Sequence, residues 1–299
     1  MATHITAHRI ADLHRVVELA CARVGLNPVG AELIKYTVNA VFRLPLERVV
    51  VRVACGAGAA VRGHRAVATA RWLHKRNAPV AALLDCDQPV DVDGGHSVTF
   101  WRELERRPEW TPADLAAPLL ALHSLAPDIG LPRWNPFLTA RDYLRAADVT
   151  AVPAADLRWL TGQWALAEYA YRYCETDLPV GVVHGDPHTG NLLVRADGRI
   201  VLCDLDEVGI GPLAWDLVPQ AVGAVRFGRR EFHREFVRAY GSDVRNRSCW
   251  PVLARIRELM MVTGVLPDLG NRPTVAAQFA HRFATLRAGQ ANSTWQVYA

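Results

Sequence analysis

Residues 179–216 read PVGVVHGDPHTGNLLVRADGRIVLCDLDEVGIGPLAWD, and their pattern decides the fold. Two β-branched apolar runs, Val180–Val183 and Ile200–Leu202, each deliver the chain into a cluster of short polar residues. His184, Asp186, His188 and Asn191 make the first cluster; Asp204 and Asp206 make the second. Between them, residues 191–194, a turn at Ala196-Asp197-Gly198 and residues 199–202 predict a hairpin. Such a hairpin carries the second cluster back beside the end of the first, so that a carboxylate, an amide and a second carboxylate converge. Oxygen donors of that kind suit a magnesium-bound phosphate next to a hydroxyl.

Protein kinases carry H-R-D-L-x-x-x-N in their catalytic loop, where the Asp accepts the substrate hydroxyl proton and the Asn holds magnesium. His184-Gly-Asp186-Pro-His-Thr-Gly-Asn191 keeps the same Asp-to-Asn interval, and Asp204 follows an apolar strand where the D-F-G aspartate would stand. Phosphoryl transfer asks for positioning and charge neutralisation more than covalent help, so a few well-placed oxygens suffice.

The HGDxHxxN form, the following L-L-V strand, D-L-D-E-V-G-I-G and A-W-D-L together resemble the aminoglycoside phosphotransferase family of small-molecule kinases. The likeness is close over about 180–218 and looser through VVVRVA, ARWL and residues 98–104. It implies an α+β, protein-kinase-like fold with a small antiparallel-β N-lobe and a larger, mainly helical C-lobe. It further implies Mg2+ with ATP or GTP as co-substrate, and a small-molecule alcohol as acceptor. Carried over residue by residue, Asp186 is the catalytic base and Asn191 and Asp204 ligate magnesium. His184 buttresses the loop, His188 belongs to the loop pattern, and Asp216 braces it. Asp206 is a further metal candidate.

The small lobe departs from the kinase pattern. Val50-Val51-Arg52-Val53 puts an arginine where kinases keep the strand lysine that grips phosphate, and arginine does this bidentately. Lys35 is the fallback, since only Lys35 and Lys75 among the 34 basic residues are lysines. The helix expected over residues 61–76 offers no glutamate to pair with that cation. The stretch from Lys35 to Ala40 lacks the glycines that let backbone N–H groups close on phosphate, leaving Thr37 and Asn39 to help. Residues 98–104 resemble the hinge, whose backbone near Arg102 and Glu103 would read the purine edge, with Phe100 and Trp101 either beside the nucleotide or in the core.

Around these motifs the chain divides at about residue 101, giving an N-lobe over 1–101 and a C-lobe over 102–299. A helix over 7–25 and strands between 31 and 54 precede the helix at 61–76. A strand at 80–84 and a hairpin of residues 90–92 with 96–100 complete the N-lobe. Helices follow over 111–125, 141–146, 156–174, 214–240, 251–264 and 273–288. A 51% hydrophobic content argues against wholesale disorder. No apolar run reaches about 18 residues, so no membrane span is expected. The N-terminus has no signal-peptide core, and six cysteines without C-x-x-C spacing argue against a disulfide or zinc scaffold, so a cytoplasmic setting is expected. A net charge of +4 gives no ground for a nucleic-acid partner. A monomer or homodimer is expected.

Residues 213–299 hold 12 arginines against 6 acidic residues, which favours a neutral or mildly charged acceptor over a polycation, although aminoglycosides and other antibiotics stay within the family's range. Asp216 and Glu258, with Asp268 as a third, are the acidic residues there that qualify as substrate contacts. Two other readings compete. One is a kinase-like nucleotide-binding protein with weak or no catalysis. The other is a metallohydrolase built on His184, Asp186 and His188.

Overall fold

The computed structural model describes residues 7–36, 39–56, 58–92, 94–128, 130–174 and 179–298. In chain order its elements are α1 (Ala7–Val24), β1 (Glu32–Tyr36), β2 (Asn39–Leu44), β3 (Val49–Cys55), α2 (Ala59–Lys75), β4 (Val90–Val92), β5 (His96–Arg102) and α3 (Pro112–His123). Next come α4 (Pro136–Arg145), α5 (Ala154–Arg172), β6 (Val180–Val183), β7 (Leu192–Val194), β8 (Ile200–Leu202), β9 (Gly209–Pro212) and α6 (Val218–Arg226). α7 (Arg230–Tyr240), α8 (Trp250–Thr263) and α9 (Pro273–Arg287) complete the chain. This is an α+β, protein-kinase-like fold, with a small antiparallel-β N-lobe and a larger helical C-lobe. Two compact units result: Met1–Glu109 with Gly190–Glu207, and Trp110–Thr189 with Val208–Ala299.

In the first unit the sheet runs in the order β1-β2-β3-β5-β4, with every neighbouring pair antiparallel. Alternation along β3 sends Val49, Val51 and Val53 to one face, where they join Leu13, Val17 and Ala20 of α1, Phe42 and Phe100 in one core. Each of the Val, Leu and Phe side chains, fully buried, stabilises the fold by about 1.5–3 kcal/mol. The same alternation sends Arg52 to the opposite face, where it lines a small cavity together with Gly63 and Ala66 of α2 and Ser97 and Thr99 of β5. α2 approaches the sheet so closely that a Cβ on Gly63 would stand 2.1 Å from Ser97 Oγ.

β7 and β8 form the expected hairpin, with Leu192 opposite Leu202 and Val194 opposite Ile200. Gly198 takes φ 82° in its turn, a conformation glycine adopts without strain. Residues 80–84 do not form the expected strand. Val80 bridges Leu202 of β8 while Leu83 bridges Trp101 of β5, so the segment divides its pairing and builds no ladder.

In the second unit β6 pairs with β9, and Gly181 stands opposite Gly211. Trp134 packs where a Cβ on Gly211 would lie, 2.9 Å from Trp134 Cβ, and its ring meets Trp215 at a centroid distance of 4.4 Å. α3 begins with the expected Thr111 cap, closed into a capping box by Asp114. α4 starts earlier than its apolar pattern predicts, because Asn135 accepts from the Phe137 and Leu138 N–H groups ahead of a Pro136 start. The helix expected over 214–240 is three pieces: a 3-10 turn at Leu213–Leu217, then α6 and α7, parted near Gly228 at φ 68°. None of the six cysteines forms a disulfide. Among the described residues no helix is long and apolar enough to cross a membrane.

Candidate active site

The sequence-predicted residues fall into two groups, one in each unit. In the second unit the loop after β6 holds His184, Asp186 and His188. Asp216, fully buried, shapes this loop. Its Oδ2 accepts the His184 N–H at 2.6 Å and its Oδ1 accepts the Gly185 N–H at 2.9 Å. His123 Nε2 reaches the same Oδ2 at 2.9 Å, and His123 Nδ1 meets the Tyr240 hydroxyl at 2.7 Å. Burial, with the Asp216 charge second, pushes the Tyr240 phenol up to about 12, so it keeps its proton. The Trp215 indole N–H donates to the Gly185 carbonyl at 2.6 Å, and Gln220 Nε2 donates to the Pro187 carbonyl at 2.8 Å. Gly185 takes φ 89°, which a side chain would strain. The loop's backbone is thus tied down from Asp216, Trp215 and Gln220.

The Asp186 carboxylate meets Arg257 of α8, with Nη1 2.8 Å from Oδ1, and His188 Nε2 lies 3.7 Å from Oδ2. Burial alone would push the Asp186 carboxyl up; Arg257, then His188 and His184, outweigh it and hold it below the ordinary carboxylate range. His184 is completely buried, and its Nδ1 accepts the Asp186 N–H at 3.3 Å. The metallohydrolase reading needs His184, Asp186 and His188 to converge on a metal. Among the described residues no group of three or more His, Cys, Asp or Glu side chains is arranged to hold one.

In the first unit the β7–β8 hairpin brings Asn191 and Asp204 to one end, where the Cys203 N–H donates to the Asn191 carbonyl at 2.9 Å. Asn191 is buried. Asp204 sits in the left-handed region at φ 64°, a conformation that costs a non-glycine residue about 1–3 kcal/mol and is concentrated at functional sites. Arg52 reaches this end from β3. Nη1 and Nη2 donate to the two oxygens of Asp206, and Nη2 also donates to Asp204 Oδ1 at 2.9 Å. Burial opposes the Arg52 charge, but Asp206 and Asp204 overcome it and raise its pKa. Asn39 Nδ2 adds a bond to Asp206 Oδ2 at 3.3 Å. Both Asp206 oxygens are thus engaged, by Arg52 and Asn39.

Other expected contacts have different surroundings. Phe100 is fully buried in the α1 core, which leaves it no surface to offer a nucleotide. Trp101 is buried too, its indole N–H donating to Thr99 Oγ1 at 2.9 Å. The Arg102 and Glu103 N–H groups donate to the Ala82 and Arg48 carbonyls, and the Glu103 carboxylate pairs with Arg43. Lys35 is exposed on β1. Glu258 pairs with Arg226 at 2.5 Å, Glu258 being 13% and Arg226 4% exposed, so its carboxylate is spent on fixing α8 to α6. Thr37 lies outside the described residues, and so does the Asp268 side chain. Sequence reasoning missed Arg257, His123, Tyr240 and Gln220; nothing in their spacing marks them, whereas Trp215 stands inside the A-W-D-L motif.

The fold is that of a kinase-like phosphotransferase acting on small molecules. The chain belongs to the phosphotransferase enzyme family, APH, whose model matches residues 36–259. Among solved structures it is similar to an amicoumacin kinase captured with AMP-PNP, Ca2+ and Ami, at 13% identity and TM-score 0.66, covering 97% of this chain and 98% of that one. An aminoglycoside phosphotransferase from Streptomyces rimosus matches at 19% identity and TM-score 0.59, covering 83% and 98%. A choline kinase from Streptococcus pneumoniae matches at 13% and 0.62, covering 94% and 99%. At these identities the likeness speaks for the fold. No curated protein matches the chain.

Proposed function

We propose that the protein moves the γ-phosphate of ATP or GTP to a hydroxyl of a small molecule, with Asp186 as the base. The observation that carries this reading is the Asp186 loop: its backbone is held by the buried Asp216, and its carboxylate is kept ionised beside Arg257. An ionised, fixed carboxylate orients the acceptor hydroxyl and takes its proton as the new P–O bond forms and the bond to the nucleoside diphosphate breaks. His184 secures the loop through the Asp186 N–H, and His188 adds positive potential beside the second Asp186 oxygen.

Asn191 and Asp204 fit Mg2+: both are hard oxygen donors at one end of a hairpin, and Asp204 is 38% exposed, so it has an open side. Bound there, the ion would neutralise phosphate charge. Arg52 would meet the phosphates from β3, with Asn39 beside it.

The acceptor is neutral or anionic near its reacting hydroxyl. Arg257 stands at the base, and the two carboxylates best placed to greet a polycation, Asp216 and Glu258, are engaged internally. Amicoumacin, aminoglycosides and choline are the substrates named for the similar proteins; of these classes, an uncharged or weakly charged natural product suits this chain better than a polyamine. The test is nucleotide consumption with Mg2+ and ATP or GTP over a panel of cationic, neutral and anionic alcohols. Transfer to neutral or anionic members is expected; preferred transfer to kanamycin or choline overturns the acceptor reading. Nucleotide-induced stabilisation with no transfer to any alcohol supports the binding-only reading.

A further inference from the structure

α2 carries no acidic residue from Ala59 to Lys75, so the cation on β3 lacks the helix glutamate that fixes its counterpart in protein kinases. At Gly63, where α2 lies on the sheet, no side chain can be supplied. A Cβ there would stand 2.1 Å from Ser97 Oγ and 2.8 Å from Ser97 Cβ. The half-open space lined by Asn39, Arg52, Gly63, Ala66, Ser97 and Asp206 is about 10 Å3, room for about one water. A charge left buried here without a partner would cost several kcal/mol. Something else must hold Arg52.

We infer that Asp206 is the fixed counter-ion of Arg52, doing from the turn after β8 what a helix glutamate does in protein kinases, and that it acts as a positioning residue and not as a metal ligand. Both Asp206 oxygens accept from the two Arg52 Nη groups, the fork-to-fork arrangement that combines charge with direction. Asn39 Nδ2 fixes the carboxylate from β2. The second consequence concerns Asp204. Arg52 Nη2 is shared between Asp206 and Asp204, so Asp206 limits how far the guanidinium leans on the neighbouring carboxylate. Remove Asp206, and Arg52 turns its whole charge onto Asp204, away from the phosphates. The role given to Asp206 rests on the reading above that Arg52 meets nucleotide phosphate.

The experiment is a double-mutant cycle of Arg52→Met and Asp206→Asn in the full chain, with ATP and GTP affinity measured by calorimetry at fixed Mg2+. Asp206→Asn alone is expected to weaken nucleotide binding at least about fivefold, and Arg52→Met at least as much. In the Arg52→Met background, Asp206→Asn is expected to cost nothing or to improve binding, because the carboxylate then only repels phosphate. A further loss in that background overturns the counter-ion role, since it means Asp206 acts on metal or nucleotide directly. Asp206→Glu and Arg52→Lys keep both charges and serve if a neutral variant fails to fold. Asp206→Glu should restore most of the affinity; affinity no better than that of Asp206→Asn counts against the inference. A wild-type chain that binds neither nucleotide defeats the nucleotide reading itself, whereas tight wild-type binding with multiplying single effects defeats only the role of Asp206.

Discussion

Arg257 Nη1 stands 2.8 Å from Asp186 Oδ1, so the carboxylate proposed as base is paired from α8 with a guanidinium 71 residues away. Burial pushes the Asp186 carboxyl up, and Arg257 is the largest influence drawing it down. Arg257→Gln should therefore raise the Asp186 pKa, and the acid limb of kcat/KM should move up in pH with it. The sign for stability follows from a depressed native pKa. The pair stabilises the fold above the unfolded carboxyl value of about 3.9, and that contribution is lost as pH falls through the lower native value. With Asp186 35% exposed, solvent screening holds its size to about 1 kcal/mol. An acid limb unmoved in Arg257→Gln would separate Arg257 from the chemistry.

Asp186→Asn keeps the side chain's shape and removes its basicity. Turnover should fall by roughly 10^2–10^4, with unfolding temperature and nucleotide affinity near wild type. Near-normal phosphorylation would mean that another group takes the proton. Asp204→Ala should behave differently, abolishing the Mg2+-dependent part of nucleotide binding seen by calorimetry; unchanged affinity removes Asp204 from the metal set.

Asp216 has no solvent to replace its partners. Asp216→Ala strands the His184 and Gly185 N–H groups and the His123 ring, which should destabilise the second unit by at least about 3 kcal/mol in urea unfolding. Tyr240→Phe removes only the outer bond to His123 and should cost about 1 kcal/mol. Equal losses for the two variants would contradict this ordering.

Gly63→Ala tests the close approach of α2 to the sheet. The new methyl meets Ser97 Oγ and Cβ at 2.1 and 2.8 Å, so about 1–3 kcal/mol of stability should be lost. Adding Ser97→Gly removes both clashing atoms, though it also removes the Ser97 bond to Asp91 Oδ1. The pair should therefore be less destabilised than the sum of the single changes. Additive losses would place the strain elsewhere.

The lobes and the hairpin were legible because their signals are local. α1 follows from apolar spacing, β3 from its run of valines, and α3 from a Thr111 cap before Pro112. Segment 80–84 was misread because its strand character is divided between two partners, which no local pattern announces. α6 and α7 were run together because their apolar residues continue in phase across Gly228, while the chain turns there.

By itself the sequence determined the family, the two polar clusters and the hairpin between them. A contiguous motif specifies its own turns and backbone bonds, and its spacing survives in one dimension. Only the tertiary structure decided which charges neutralise which. Arg52 and Asp206 are 154 residues apart, His123 and Asp216 are 93 apart, and Arg226 and Glu258 join α6 to α8. In a chain whose basic residues are nearly all arginine, no composition or period distinguishes the guanidinium at the base from one in solvent. Burial makes that distinction, because a charge removed from water must find its partner in the folded chain.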